Sequence, residues 1–358
     1  MVNNIETNSM CGSDRPTVSV IIPFYNGANY VERAIKSVIT QTVSPDEFIV
    51  VNDGSKPEER EALALLAEKY AFTIIDKENG GQGSARNTGI AASKSVYISL
   101  LDQDDYYLPN HIKDLVALLP SDDPRLGFVY ADLCEGDQFG RIVHSNLLRR
   151  LPHSHPWEGH ITDLLRNDLF ILPSASLVYR PAFEAIGGFD EQFRGYEDDD
   201  LFLRFFRAGY TSYFLDRPVT VWCMHAGSTS YSITMSQSRF KYFKKLSKTF
   251  EDEPDRKLFY FKDCLVPRFG PAFIMNSIKT IRNENDRVEH NEYLREYANM
   301  VYANKNISRK YKAKLFLLVY FLTRFPKPLI LMLGKTTKFL LIRRIIPQFI
   351  TSAFNEQY

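Results

Sequence analysis

The first hundred residues alternate short apolar runs with amphipathic ones, and this alternation restricts the fold more than any other feature of the chain. Val18-Ser19-Val20-Ile21-Ile22 is an apolar run stopped by Pro23. Val31, Ala34, Ile35, Val38 and Ile39 then recur with the spacing of one helix face. Phe48-Ile49-Val50-Val51 reads as a second strand, ended by the turn and cap signal Asn52-Asp53-Gly54-Ser55. A helix over 58–70, a strand over 72–75, a glycine-rich turn, a helix over 84–93 and the strand 96–101 complete the series. Strand and helix in alternation imply a parallel sheet with right-handed crossovers, hence an α/β fold.

Beyond Asp105 the regularity loosens. Gly127 to Ala131 and Leu177 to Tyr179 read as strands, 145–156 as an irregular excursion, and Pro181 as a helix start. A helix carrying Leu201, Leu203, Phe205 and Phe206 closes at Gly209, and past Arg239 the chain turns helical and rich in Lys, Phe and Tyr. The expected organisation is a polar, flexible leader over 1–15, a catalytic domain over 16–235 and a helical C-terminal region over 236–358. A chain of 358 residues, 44% hydrophobic and 24% charged, has the composition of a folded protein with one large core or two. Cys11, Cys134, Cys223 and Cys264 lack CxxC spacing, which argues against a zinc knot or a disulfide framework and for a reducing cytosol. The leader lacks the apolar core of a signal peptide, and the apolar stretches near Leu315 and Leu329 are broken by Arg324, Pro326, Lys327 and Lys335 before reaching the length of a bilayer span.

A net charge of +1 hides a split. Residues 305–358 hold eleven Lys and Arg against the single acid Glu356, so the body is acidic and the tail strongly basic. Leu315 to Leu322 and Phe339 to Ile342 interleave aliphatic and aromatic residues with that charge. Such a helix suits the headgroup layer of an anionic membrane; a basic-faced helix packed on the body or at a dimer interface is the alternative. Nucleic acid would use a similar charge, but phosphate contacts have no need of so much aliphatic surface.

Asp102, Asp104 and Asp105 crowd into four positions where the fourth strand ends, the place at which open α/β sheets gather ligands. Like charges this close call for a hard divalent cation with oxygen ligands, unless they merely solvate a loop. An EF-hand is excluded, because the positions requiring Gly and Glu are Tyr107 and Lys113. Gly81-Gln82-Gly83 has Arg86 in place of the third glycine of a dinucleotide fingerprint, and Gly334-Lys335-Thr336 has Leu329 in place of the first glycine of a phosphate loop. His153, His155 and His160 sit in a Pro-rich loop without zinc-site spacing. Asp53 follows the second strand and can accept a base N–H, while Arg86 can grip a carboxylate or phosphate with two parallel hydrogen bonds.

Taken together, Pro23-Phe24-Tyr25-Asn26, Asp53, Asn79-Gly80-Gly81, Ala85-Arg86-Asn87 and Leu101-Asp102-Gln103-Asp104-Asp105 resemble the nucleotide-sugar-dependent glycosyltransferases of family 2. Downstream, Gly187-Gly188-Phe189-Asp190, Glu197-Asp198-Asp199-Asp200-Leu201 with Arg204, and His225 with Ser228 and Ser230 continue the resemblance in order and spacing over 17–231. It implies a GT-A, Rossmann-like fold with a mixed, mainly parallel sheet flanked by helices. It also implies that Pro23, Tyr25, Asp53, Arg86 and Asp102 line the donor, with Asp53 on the base and Asp102 on the ribose. By the same resemblance Asp104 holds a Mn²⁺ or Mg²⁺ bridging the diphosphate, and Asp198 is the general base.

Like-charged neighbours would raise the proton affinity of Asp198; an acidic first turn that favours the helix dipole is the plainer account of Asp199 and Asp200. His225 could complete the metal site, bind diphosphate or simply hold a structural hydrogen bond. Trp157 could stack on an acceptor sugar or pack in its loop, and Asp132 could line the acceptor side.

The resulting expectation is an inverting hexosyltransferase that moves a sugar from a nucleotide-diphosphate donor, a UDP-sugar, to a saccharide or lipid-linked saccharide in cell-surface polysaccharide or glycolipid synthesis. It would work at the inner face of the cytoplasmic membrane. The competing expectation is a catalytically idle nucleotide-sugar-binding scaffold at the same place.

Overall fold

β1 (Val18–Phe24), α1 (Ala28–Ile39), β2 (Glu47–Asp53), α2 (Pro57–Tyr70), β3 (Thr73–Lys77), α3 (Gln82–Ala92) and β4 (Tyr97–Leu100) follow one another in strict alternation in the computed structural model. The structure describes residues 15–151, 155, 160–225, 233–281 and 286–324. The leader, His153, Trp157, Ser228, Ser230 and the tail from 325 onward therefore lie outside the described residues, apart from Arg15.

Every residue of β1 is buried, as a central strand covered on both faces requires. α1 buries Val31, Ala34, Ile35 and Val38, the stripe its periodicity marks. β1 runs parallel to β2 on one side and to β4 on the other, and β3 continues the parallel set beyond β2.

Pro23 does not stop β1; the strand runs on through it to Phe24. A proline cannot donate to a ladder and is normally excluded from a central strand. Here the ladder to β4 ends at Ile21↔Leu100, so at Pro23 the strand has only β2 beside it, paired at Val51. The missing N–H falls where β4 has turned away.

After β4 come β5 (Tyr106–Tyr107), α4 (His111–Ala117), β6 (Leu126–Gly136), β7 (Ile142–His144), α5 (Ile161–Arg166), β8 (Ser176–Tyr179), α6 (Arg180–Ala185), α7 (Glu197–Arg207) and β9 (Thr211–Cys223). Among the described residues they complete one nine-stranded sheet in the order β3-β2-β1-β4-β8-β6-β9-β5, with β7 on β6. β8 is antiparallel to β4 and β6, β5 to β9, and β6 and β9 are parallel to each other. This is the expected α/β architecture with a mixed sheet.

Two strands exceed the sequence reading. β6 runs five residues past Ala131, and β9 has no counterpart in the apolar runs because Asp216-Arg217-Pro218 interrupts it. Its ladder with β6 absorbs that interruption through register shifts on both sides of Asp132, which pairs with Pro218.

Glu47 fastens the parallel half. Its carboxylate accepts Ser19 Oγ at 2.5 Å, Lys94 N and Ser95 Oγ at 2.8 Å and Ser95 N at 2.9 Å, joining β1, β2 and the approach to β4. Burial works against its charge, yet these hydrogen bonds hold its pKa down to about 2.

The chain divides into two compact units, Met1–Glu158 with Leu169–Ser228, and Gly159–Asp168 with Thr229–Tyr358. The second unit contains α5, α8 (Ile233–Thr249), α9 (Val266–Lys279), α10 (Arg287–Ala303) and α11 (Arg309–Arg324). Phe243 is its aromatic hub, with Tyr297, Phe269 and Phe273 ring centroids 5.5–5.6 Å away. Arg268 closes on α5 by donating to Asp168 and to Leu164 O. Among the described residues no helix is long and apolar enough to cross a membrane.

Glu47→Ala should lower unfolding stability at pH 7 by about 2 kcal/mol, since it strands charge-assisted hydrogen bonds. A carboxylate with a depressed folded pKa stabilises above its unfolded value near 4.5 and loses that contribution as pH falls toward about 2. Urea titrations of both proteins should therefore converge over that interval; a constant gap down to pH 2 would count against the role given to its charge.

Candidate active site

Because β1, β2 and β4 run parallel, their carboxyl ends open on one edge, which carries Asp53 as the last residue of β2 and Tyr25 and Asp102 to Asp105 in the loops after β1 and β4. Asp53 is buried. Its Oδ1 accepts Lys77 Nζ at 2.8 Å and Gly80 N at 2.9 Å, and its Oδ2 accepts Gly81 N at 2.8 Å. The carboxylate thus pins the glycine turn that leads into α3. Gly54 makes the approach possible: at φ +71° it adopts a left-handed conformation, and a Cβ there would stand 2.7 Å from Asn79 N.

Tyr25 follows Pro23 and Phe24 at the end of β1 with its side chain 49% exposed. Gln103, between the two leading aspartates, clasps the Tyr25 backbone, its Oε1 accepting the N–H at 2.9 Å and its Nε2 donating to the carbonyl at 3.2 Å. The loops after β1 and β4 are thereby held as one surface.

The three aspartates divide. Asp105 is buried, accepting Cys223 N at 2.8 Å and Ser174 Oγ at 3.3 Å, so it tethers the loop to the end of β9. Asp104 Oδ2 lies 2.8 Å from His225 Nε2, while Arg33 Nη2 donates to the Asp104 carbonyl at 2.6 Å. His225 stacks on Tyr30 with ring centroids 4.7 Å apart, so two residues one turn apart on α1 steady this pair. Burial, with Asp102 close by, pushes the Asp104 carboxyl up from its usual range.

Among the described residues no group of three His, Cys, Asp or Glu side chains is placed to hold a metal ion. The pair of Asp104 and His225, one carboxylate and one imidazole, fits a hard divalent ion such as Mg²⁺ or Mn²⁺ whose remaining positions would be filled by water and phosphate oxygens. Asp104 and His225 would hold the ion.

Arg86 is 1% exposed and spans two carboxylates. Nη2 donates to Asp102 Oδ1 at 2.6 Å and Nη1 to Glu197 Oε1 at 3.0 Å. Gln82, one turn earlier on α3, donates to the same Asp102 oxygen at 2.6 Å. Of the two partners expected for this fork, a carboxylate or a phosphate, the structure gives it carboxylates, one on each of two elements.

Next to Glu197 comes Asp198 in the first turn of α7. Its carboxyl is pushed up to about 7, first by burial and then by the charge of Glu197. Asp199 accepts Leu169 N at 2.8 Å and Asp200 pairs with Arg204 at 2.8 Å, so both are engaged in holding α7. Arg204 in turn donates to Ile186 O and Gly188 O, and Asn87 brackets Phe189 through its N–H and its carbonyl. Those bonds explain why Ala-Arg-Asn, Gly-Gly-Phe-Asp and the acidic run occur together.

The sequence reading did not single out Gln82, Tyr30, Arg33, Gln103 or the bridging part of Glu197. Tyr30 and Arg33 carry a legible signal, being polar positions of α1 beside its apolar stripe at the end that follows β1. Glu197 carries none, because four acids in a row look alike until Arg86 chooses one.

Residues 19–187 match the family model described as glycosyl transferase family 2, and residues 174–226 one described as the N-terminal domain of galactosyltransferase. An uncharacterized glycosyltransferase of Rickettsia prowazekii is 36% identical over 246 residues, spanning 65% of this chain and 73% of its own. One from Rickettsia typhi is 32% identical over 288 residues, spanning 74% and 86%. Among solved structures, S. aureus TarS 1–349 in complex with UDP-GlcNAc superposes with a TM-score of 0.57 at 16% identity, over 84% of this chain and 87% of that one. The mannosyltransferase PcManGT from Pyrobaculum calidifontis, in complex with GDP-Man and Mn²⁺, gives 0.51 at 20% identity over 93% and 83%. These two share the GT-A fold with this chain.

Proposed function

The chain belongs to glycosyl transferase family 2 and is a glycosyltransferase with the GT-A fold; from that premise we propose an inverting, metal-dependent enzyme that uses a nucleotide-diphosphate sugar. The observation that carries this reading is Asp198. It is a carboxylate pushed up to about 7 at the start of α7, in the same compact unit as the pair of Asp104 and His225. A base with that proton affinity is matched to removing a hydroxyl proton near neutral pH.

In the proposed reaction the acceptor oxygen bonds to the anomeric carbon while the bond from that carbon to the diphosphate oxygen breaks. The departing electron pair stays on the nucleoside diphosphate, and the acceptor proton passes to Asp198. One displacement inverts the anomeric configuration. A divalent ion, when bound, supplies positive charge to the leaving diphosphate. For the base we propose uracil, with its imide N–H directed at Asp53; Oδ2 accepts one protein hydrogen bond, and a carboxylate oxygen has capacity for another. Pro23 and Tyr25 flank the base, Asp102 faces the ribose, and Arg86 reaches the donor through Asp102.

The proposed acceptor is a saccharide or lipid-linked saccharide, met at the cytoplasmic membrane surface during polysaccharide or glycolipid synthesis. Support for that location comes from α11. Phe316, Leu317 and Tyr320 are 55%, 61% and 52% exposed there, on a helix that also carries Arg309, Lys310, Lys312, Lys314 and Arg324. Tyr302, Lys312, Ala313, Phe316 and Leu317 line an open cavity of about 470 Å³ on the same unit. An apolar patch with a basic rim suits anionic headgroups.

Asp198→Asn should retain UDP and Mn²⁺ binding while sugar transfer falls about a hundredfold to ten-thousandfold. In the parent enzyme kcat/KM should rise about tenfold per unit as pH climbs toward about 7 and then level off, because only the ionised carboxylate accepts the proton. Transfer by the variant at the parent rate would remove Asp198 as the base.

Calorimetry with UDP should show at least about tenfold tighter binding in Mn²⁺ than in chelator, and equal affinities would exclude the ion from Asp104 and His225. For the membrane, the protein should float with phosphatidylglycerol liposomes, and replacing Phe316, Leu317 and Tyr320 together by Ser should leave most of it at the bottom of the gradient. Undiminished flotation would reject α11 as the contact.

A further inference from the structure

We infer that Arg86 is a positioning residue that transmits occupancy of the nucleotide site to the helix bearing Asp198. The inference rests on the reading of Asp102 and Asp198 given above and assigns a part to two residues, Arg86 and Glu197, that touch neither donor nor acceptor in it.

The geometry has three elements. Asp102 belongs to the loop after β4, Arg86 to α3 and Glu197 to the first turn of α7, and the guanidinium is the shared member, at 2.6 Å from Asp102 and 3.0 Å from Glu197. Its separate N–H groups serve the two sides, Nη2 for Asp102 and Nη1 for Glu197. Because the guanidinium is planar and rigid, a shift of one carboxylate turns the fork that holds the other. Lysine in its place would keep the charge but offer one ammonium instead of two fixed directions.

The surroundings prevent the arms from acting independently. Arg86 is sealed from water, with its guanidinium over the ring of Phe189 at 5.3 Å. Solvent therefore cannot replace either carboxylate if it moves away, and a buried charge that loses a partner is strongly disfavoured. On the far side Asn87 fixes Phe189 by its backbone, at 3.0 Å and 2.9 Å, so the base of the fork cannot drift. Asp102 is the end that faces solvent. Its side chain is 26% exposed, and its Oδ1 is shared between Arg86 and Gln82, so a ribose hydroxyl competing for that carboxylate alters what Arg86 holds. The consequence is delivered to Glu197, one residue before Asp198.

Hydrogen exchange of the full-length chain with Mn²⁺ and saturating UDP, GDP, ADP, CDP and TDP in turn tests this without knowing the donor sugar. The nucleotide that protects the peptide over 97–105 should slow exchange of the α7 peptide over 196–203 by about threefold or more. Arg86→Lys should bind that nucleotide at saturation, with protection of 97–105 and none added at 196–203. Should Arg86→Lys fail to fold, Glu197→Ala removes the far arm while leaving the pairing of Arg86 with Asp102, and it should show the same split. Once a donor is known, both variants should lose kcat far more than KM.

Protection of 97–105 without a response at 196–203 in the parent would overturn the coupling and leave the donor reading intact. An α7 response equal to the parent's in either variant would do the same. Absence of protection at 97–105 with all five nucleotides would overturn the donor reading, and the coupling with it.

Discussion

A single guanidinium, that of Arg86, is shared between a carboxylate of the loop after β4 and one at the start of α7, and the active-site face depends on that sharing. Asp102, Glu197 and Asp198 bring three negative charges to one positive group sealed from water. Burial and then the charge of Glu197 raise the proton affinity of Asp198, and burial with the charge of Asp102 does the same for Asp104. The planar fork of an arginine holds two carboxylates on different elements in fixed directions, which the single ammonium of a lysine does not offer.

The sheet brings these groups within reach. Its parallel half delivers the ends of β1, β2 and β4 to one edge, and the antiparallel pairing of β8 with β4 turns the remaining chain back across it. β9 then ends at Cys223, whose N–H is taken by Asp105, and His225 two residues later meets Asp104. The aspartate loop and a histidine that are 121 residues apart in the chain are joined by that one strand end. The second unit is built on another principle, an aromatic core around Phe243 with a basic, partly apolar helix surface outside.

Much of this was legible in the chain. The alternating apolar and helical runs from Val18 to Leu101 mark the strands and helices, most clearly in β1, which is buried throughout, and α1, which buries one stripe. The aspartates at the end of the fourth strand, Asp53 after the second and Arg86 in the third helix stand out as charges in a place where charge is costly. Pro23 misled for an intelligible reason: a proline ends a strand flanked on both sides, and nothing local tells that β4 has already departed. β9 stayed hidden because Asp216-Arg217-Pro218 breaks its apolar run, and only a long ladder with β6 makes a strand of it.

By itself, then, the chain determined the α/β order, the positions of the acidic and basic groups at the strand ends and helix starts, and the charge asymmetry of its tail. These are properties of local pattern, of which residue follows which at intervals of two, three or four. Only the tertiary structure decided the partnerships: Arg86 with Asp102 and Glu197, Asp104 with His225, His225 on Tyr30, and Asp53 on the glycine turn. An electrostatic partner is chosen by distance and by exclusion of water, and both are set by how the sheet and helices pack rather than by separation along the chain.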